Sequence, residues 1–254
     1  MTIPIARLEE STLAGARARL SAVEARIAAA AARAGRDPAE ITLVGVAKKQ
    51  PLSRVVAAVV AGVRVLGQSY VQEAREARPA IESALAKDPA TADIGLSWRM
   101  VGQLQRNKAP LAARLFDAVE SVDRPSLADA LARRARQEGK TLEVLIQVSL
   151  CDEPQKGGCL PDAVAGLAQR VRSADSLRLA GLMTVPAASP DPEPARAAFR
   201  RLRALRTELA TEDPGFARAE LSMGMSGDLE VAVEEGATLV RIGTALFGER
   251  VTPG

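Results

Sequence analysis

Histidine is absent from all 254 residues, and that absence removes much chemistry at once. No Ser–His or Cys–His pair can activate a nucleophile, and no imidazole can complete a zinc site. Cysteine occurs twice, as Cys151 and Cys159. Their spacing fits no zinc pattern and reads as two reduced thiols, so no resident metal is expected. Aromatic residues make up 2% of the chain, too few to stack bases along a nucleic-acid groove. No run of about 18 apolar residues exists to form a membrane-spanning helix. The amino-terminal MTIPIARLEE lacks the apolar stretch and cleavage site of a secretory signal, so a cytoplasmic protein is expected. The Gly-rich dinucleotide fingerprint is missing after the first strand candidate, which argues against an open nucleotide-binding sheet.

Ala, Val and Leu carry most of the 47% hydrophobic content, so the core is built from small and branched side chains. Net charge is +3, and 28 of the 34 basic residues are arginine. The arginines alternate with Glu and Ala, as in residues 16–19 and 196–206, which describes solvated helix faces. No basic block is present, and a nucleic-acid partner is not expected.

Residues 6–34 carry apolar side chains at helical spacing, ended by Gly35. Short β-branched runs follow at 41–47, 63–67, 96–102, 116–122, 142–149, 177–183, 217–223 and 239–243. Amphipathic stretches at 51–61, 70–86, 124–138, 161–173, 192–210 and 226–235 separate most of them. Strands alternating with helices pair in parallel, because each crossover returns the chain to the same end. Eight such units in about 250 residues predict one (β/α)8 TIM barrel across residues 1–254, with an extra N-terminal helix. The Pro-rich stretch 186–194 reads as a lid or surface loop.

Active sites of such barrels lie at the C-terminal ends of the strands, and phosphate commonly binds after strands seven and eight. There the chain reads Ser222-Met223-Gly224-Met225-Ser226 and Arg241-Ile242-Gly243-Thr244. Glycines admit an anion close to the backbone, and Ser226 and Thr244 add hydroxyl donors. Plain helix capping before Leu229 would use the same residue types, and that alternative stays open. Lysine supplies the second element. Two of the six lysines, Lys48 and Lys49, end the first strand, and strand geometry lets one of them point into the barrel mouth. An amine desolvated among apolar walls can attack a carbonyl. A phosphate site beside an inward lysine suits a phosphorylated carbonyl compound held as an imine. Pyridoxal 5'-phosphate (PLP) and sugar phosphates both fit.

The segments LVGVAKKQP (43–51), YVQEAREARP (70–79), WRMVGQLQRNK (98–108), AGLMTVP (180–186), LSMGMSGDLEVAVEEG (221–236) and VRIGTALFGER (240–250) resemble the pyridoxal phosphate homeostasis proteins. These are PLP-binding barrels similar to the N-terminal domain of alanine racemase. The resemblance runs from about residue 5 to 250. It implies that Lys48 forms the imine and that Ser226, Gly243 and Thr244 bind the phosphate, with Met225 beside them. It also implies that Arg241 faces the pyridine nitrogen. A guanidinium cannot accept a proton, so a cofactor held this way is a poorer electron sink.

The chain departs from the family pattern at three places expected at the barrel mouth. Lys48-Lys49-Gln50-Pro51 stands where the family resembles K-T-K-P, and Gly67-Gln68-Ser69-Tyr70 where it resembles G-E-N-Y. Trp98-Arg99 replaces a Trp-His pair. Ser69 and Arg99 are accordingly expected among the cofactor contacts, and Tyr70 is expected to pack with its hydroxyl at the rim.

The implied function is a monomeric carrier that buffers PLP and passes it to apo-forms of PLP enzymes. A racemase needs acid–base groups on both faces of the substrate carbon, and this chain has no residues left for a second domain to supply them. The rival readings are a PLP-dependent amino-acid racemase, a class I aldolase on a phosphorylated substrate, and an interaction barrel with a vestigial pocket.

Overall fold

The computed structural model describes residues 9–151, 156–187 and 189–249. Eight runs become parallel strands: β1 (Thr42–Val46), β2 (Val65–Gln68), β3 (Ser97–Met100), β4 (Ala118–Val122), β5 (Leu142–Gln147), β6 (Leu177–Met183), β7 (Glu220–Ser222) and β8 (Leu239–Ile242). They close in sequence order, β8 pairing with β1 through Val44↔Arg241 and Gly45↔Ile242. The expected (β/α)8 barrel is the observed fold.

Nine α-helices lie among the described residues. An N-terminal helix, α1 (Glu10–Arg33), precedes the barrel. Its expected start at residue 6 falls outside the described residues, as does residue 188 of the Pro-rich stretch. Six helices match the amphipathic stretches: α2 (Leu52–Ala61), α3 (Val71–Leu85), α5 (Pro125–Gln137), α6 (Val164–Arg172), α7 (Glu193–Glu212) and α8 (Leu229–Glu234). Two were not anticipated. Helix α4 (Ala109–Leu115) is seven residues with Pro110 in its first turn, and α9 (Thr244–Phe247) is a single turn, so neither shows a long apolar period. Strand β7 is shorter than its candidate, because a 3-10 turn at Pro214–Phe216 and the bond from Ala219 N–H to Phe216 C=O consume its start.

Two hydrophobic cores follow from the alternating facing of strand residues. The outer one, between barrel and helices, takes the large side chains, including Trp98, Phe116, Phe199 and Phe247. The inner one is small: Val44, Leu145, Ala180, Met183 and Leu239, joined by Val65, Val101 and Val185. Helix α1 buries Ala16, Leu20, Val23, Ile27 and Ala30 at spacings of three and four, against α2, α8 and α9.

The rest of the interior is charged, and it corrects one expectation. Arg99 lies inside the barrel, 6% exposed, and lines neither cavity at the mouth. Its guanidinium donates to Glu120 at 2.5 Å, Glu143 at 3.0 Å and Glu220 at 3.1 Å. Arg99 was expected among the cofactor contacts at the mouth, and it lies deeper than that. The next inward residue towards the mouth is Val101, two residues and roughly 6.6 Å farther along the strand. Burial acts to lower the Arg99 guanidinium, but the carboxylates of Glu120, Glu220 and Glu143 outweigh it and hold it above its ordinary value. Removing one partner of such a buried group costs about 3–5 kcal/mol.

Gly224, just past β7, shows how tightly the mouth is built. Its φ is +92°, and a Cβ there would stand 2.4 Å from the Cβ of Ala232. Gly224→Ala should therefore destabilise the fold by about 1–3 kcal/mol in urea unfolding. Gly95→Ala, where a Cβ meets nothing within 4 Å, should change stability by less than about 0.5 kcal/mol.

Candidate functional site

Strand β1 places Val44 and Val46 on the inward face. A Cβ on the facing Gly67 would meet Val44 Cγ1 at 3.0 Å, Val46 Cγ2 at 3.3 Å and Val101 Cγ1 at 3.4 Å. Two residues past Val46 comes Lys48, in a turn closed by Gln50 N–H to Ala47 C=O at 3.1 Å. Lys49 takes the left-handed position of that turn, with φ +54°, and its side chain is exposed. Its backbone N–H donates to Glu73 at 3.1 Å. The turn thus sends Lys48 to the barrel mouth and Lys49 to solvent.

Lys48 borders two lobes of the mouth, which share Lys48, Ser69, Val101 and Val185. The lobe nearer β7 and β8 has a volume of about 370 Å³. Its far wall carries Met225, Ser226, Gly227, Arg241, Gly243 and Thr244. Seven of the eight residues singled out from the sequence therefore meet here, and Arg99 is the exception. The other lobe, about 580 Å³, adds Gln103, Lys108, Gln147 and Lys156.

The corner after β7 and β8 is knitted together. Ser226 Oγ accepts from Ala245 N–H at 3.3 Å, which ties the two loops at the start of α9. Asp228 accepts from Met225 N–H at 2.5 Å and shapes the first loop. Burial pushes the Asp228 carboxyl up, opposed by the Met225 N–H and by Arg241. Gly45 lets α9 press against β1, since a Cβ there would meet Leu246 Cδ2 at 3.0 Å. From behind, α1 braces both loops: Arg19 donates to Leu246 C=O at 3.0 Å and Arg26 to Ser226 C=O at 2.9 Å.

Arg241 forms the base of this lobe. It is 5% exposed, donating from Nη1 to Ser222 Oγ at 2.6 Å and from Nη2 to the Thr184 carbonyl at 2.8 Å. Burial holds its guanidinium below the ordinary value, with Glu120 and Asp228 opposing. A lysine amine, a fixed guanidinium and two hydroxyls at glycine-bearing loops make a site for a phosphorylated, carbonyl-bearing molecule. The volume lies within the range of about 300–1,000 Å³ usual for small-molecule sites.

Several features were not read from the sequence. Tyr70 is 47% exposed rather than packed, and Lys48 Nζ sits 4.8 Å from its ring centroid, a cation–π contact. Gln50, where the family pattern has a second lysine, lines the lobe and donates to Gly248 C=O at 3.0 Å, holding the chain after α9. The apolar walls Val46, Val101 and Val185 carry no motif, although counting inward positions from the strand ends would have found the first two. Neither cysteine lines a lobe, and burial pushes the Cys159 thiol up to about 11. Among the described residues no group of three His, Cys, Asp or Glu side chains could hold a metal.

Residues 18–251 match the family model of the alanine racemase N-terminal domain. The chain is 42% identical to the pyridoxal phosphate homeostasis protein of Pseudomonas aeruginosa over 91% of its own length and 94% of that protein's. It belongs to the pyridoxal phosphate homeostasis protein family. Within the family, PipY of Synechococcus elongatus with PLP bound superposes with a TM-score of 0.73 at 32% identity, covering 89% of this chain and all of that one. A protein of unknown function from Bifidobacterium adolescentis superposes at 0.85 with 35% identity, over 94% of this chain and 97% of that one. The curated relatives are named for a homeostasis role and not for an enzyme activity, in line with the non-enzyme reading of the sequence.

The left-handed turn residue gives a direct test of the geometry around Lys48. Lys49→Gly should leave stability unchanged or raise it slightly, since glycine adopts that φ without strain. Lys49→Val should lower stability by about 1–3 kcal/mol, read from urea midpoints at constant slope.

Proposed function

We propose that this protein holds PLP in the lobe between Lys48 and the β7–β8 corner, as an imine on Lys48, and serves as a PLP carrier. The observation that supports this most is the convergence of Lys48, Arg241, Ser226 and Thr244 on one lobe of about 370 Å³. PLP supplies an aldehyde that condenses with a primary amine. The protein's residues supply the rest: Lys48 the amine, Ser226 with Gly243 and Thr244 the phosphate seat, and Arg241 a donor to the pyridine nitrogen. Met225 and Ser69 line the lobe, and Val46, Val101 and Val185 give it apolar walls.

A guanidinium at the ring nitrogen cannot accept a proton, and so does not support the pyridinium form that many PLP enzymes use to store electrons. That favours storage over turnover. The buffering role is supported by the name of the family's curated members, and hand-off to apo-enzymes is the use such a store would serve. The open second lobe beside Lys48 leaves room for a small acceptor to approach. Two free cysteines suit a reducing cytoplasm, and no helix among the described residues is long and apolar enough to cross a membrane. Tyr70 and Leu160 are the exposed large hydrophobics among the described residues, and two scattered side chains suit a monomer better than a hydrophobic interface.

Two experiments test this reading. Lys48→Ala should abolish the visible absorption band that forms on adding PLP, while Lys49→Ala should keep it; loss in Lys49→Ala alone would contradict the assignment of the amine. Ser226→Ala with Thr244→Val should weaken retention of PLP by about tenfold or more, the worth of one or two hydrogen bonds to a charged group. Retention of unphosphorylated pyridoxal should change little. Equal losses for both ligands would contradict the phosphate seat.

A further inference from the structure

Beneath the cofactor lobe, the interior carries a chain of buried polar groups that reaches from the barrel's charged centre to Arg241. Ser222 Oγ lies 2.6 Å from Arg241 Nη1 and 2.5 Å from Glu120 Oε2. Glu120 is 0% exposed, and its other oxygen accepts from Arg99 Nε at 2.5 Å. Arg99 in turn is shared with Glu143 and Glu220. Glu120, Ser222 and Arg99 line neither lobe.

We infer that Glu120 and Ser222 are positioning residues, which hold the Arg241 guanidinium so that it can recognise a heteroaromatic nitrogen in the lobe above. The inference rests on the reading of that lobe as a PLP site.

Proton inventory fixes the direction of the chain. A guanidinium only donates, and an ionised carboxylate only accepts. The single Ser222 proton therefore goes to Glu120, and a lone pair of the hydroxyl is left to face Arg241. Arg99 Nε holds the other oxygen of Glu120 at 2.5 Å, which fixes the carboxylate that the hydroxyl faces. The Thr184 carbonyl pins the second guanidinium nitrogen at 2.8 Å. With two anchors the planar group has one orientation, and its remaining donors are available to the lobe that it lines. A carboxylate placed directly on Arg241 would have formed a forked ion pair and occupied those donors. The intervening hydroxyl lets Glu120 offset the charge without doing so.

The test compares PLP with its 1-deaza analogue, in which C–H replaces the ring nitrogen and the aldehyde and phosphate are kept. Dissociation constants are measured for the wild type, Ser222→Ala and Glu120→Gln, with the melting temperature of each ligand-free protein recorded. The wild type should prefer PLP. In both variants that preference should shrink by about tenfold, the worth of one hydrogen bond to a charged group, through weaker PLP binding at unchanged analogue binding. A merely structural role would weaken both ligands together. If Glu120→Gln fails to fold, Ser222→Ala decides, because it leaves the Arg99–Glu120 pair in place. A folded Ser222→Ala protein that keeps the full preference overturns the inference while the PLP reading stands. Wild-type protein that retains neither ligand overturns the PLP reading and this inference with it.

Discussion

Closure of β8 onto β1 is the constraint from which the rest of the structure follows. A closed parallel sheet has no free edge, and every second strand residue must face a narrow interior. Among the described residues that interior holds valines, two leucines, Ala180, Met183 and a buried charge cluster, and no aromatic ring. The rings lie in the outer core instead, where Trp98, Phe116, Phe199 and Phe247 fill the space under the helices. Past Val44 and Val46 the turn after β1 brings Lys48 to the mouth. Alternation along β8 carries Arg241, rather than either of its neighbours, to the base of the lobe beside β7 and β8.

Burying a cluster of charges is costly unless each one is paired. Here the pairing is continuous. Arg178 meets Glu143 at the exposed end, Glu143 and Glu220 meet Arg99, and Arg99 meets Glu120. Ser222 then connects Glu120 to Arg241. Burial raises the Glu220 carboxyl while Arg99 pulls it down, which shows the balance that the cluster strikes. Arg99, which stands where the family pattern resembles a histidine, belongs to this cluster and lines neither lobe of the mouth. It alters how the centre of the barrel is neutralised and leaves the phosphate corner intact.

Much of this was legible in the sequence. All eight strands were readable because β-branched runs and amphipathic stretches alternate with regular spacing. Strand facing allowed one of Lys48 and Lys49 to reach the mouth and the family resemblance pointed to Lys48, while Ser226 and Thr244 stood out by their place after strands seven and eight. What escaped was short or three-dimensional. Helices α4 and α9 are too brief to show a period. The depth of Arg99 depends on the stagger of the barrel strands, which no local pattern records. Tyr70 read as a packing residue because its ring is apolar, yet it lies exposed beneath an ammonium group supplied by the preceding loop. The brace from Arg19 and Arg26 joins residues about 200 or more positions apart, a distance at which local spacing carries no signal.

The claim on which everything else depends is that one amine, Lys48, carries the cofactor. Adding PLP to the purified protein, reducing with borohydride under native conditions and mapping the modified peptide by mass spectrometry tests it most directly. The account predicts a single pyridoxyl group on Lys48, with Lys49 unmodified. A group on Lys49 or spread over several surface lysines, or no adduct at all, would contradict it.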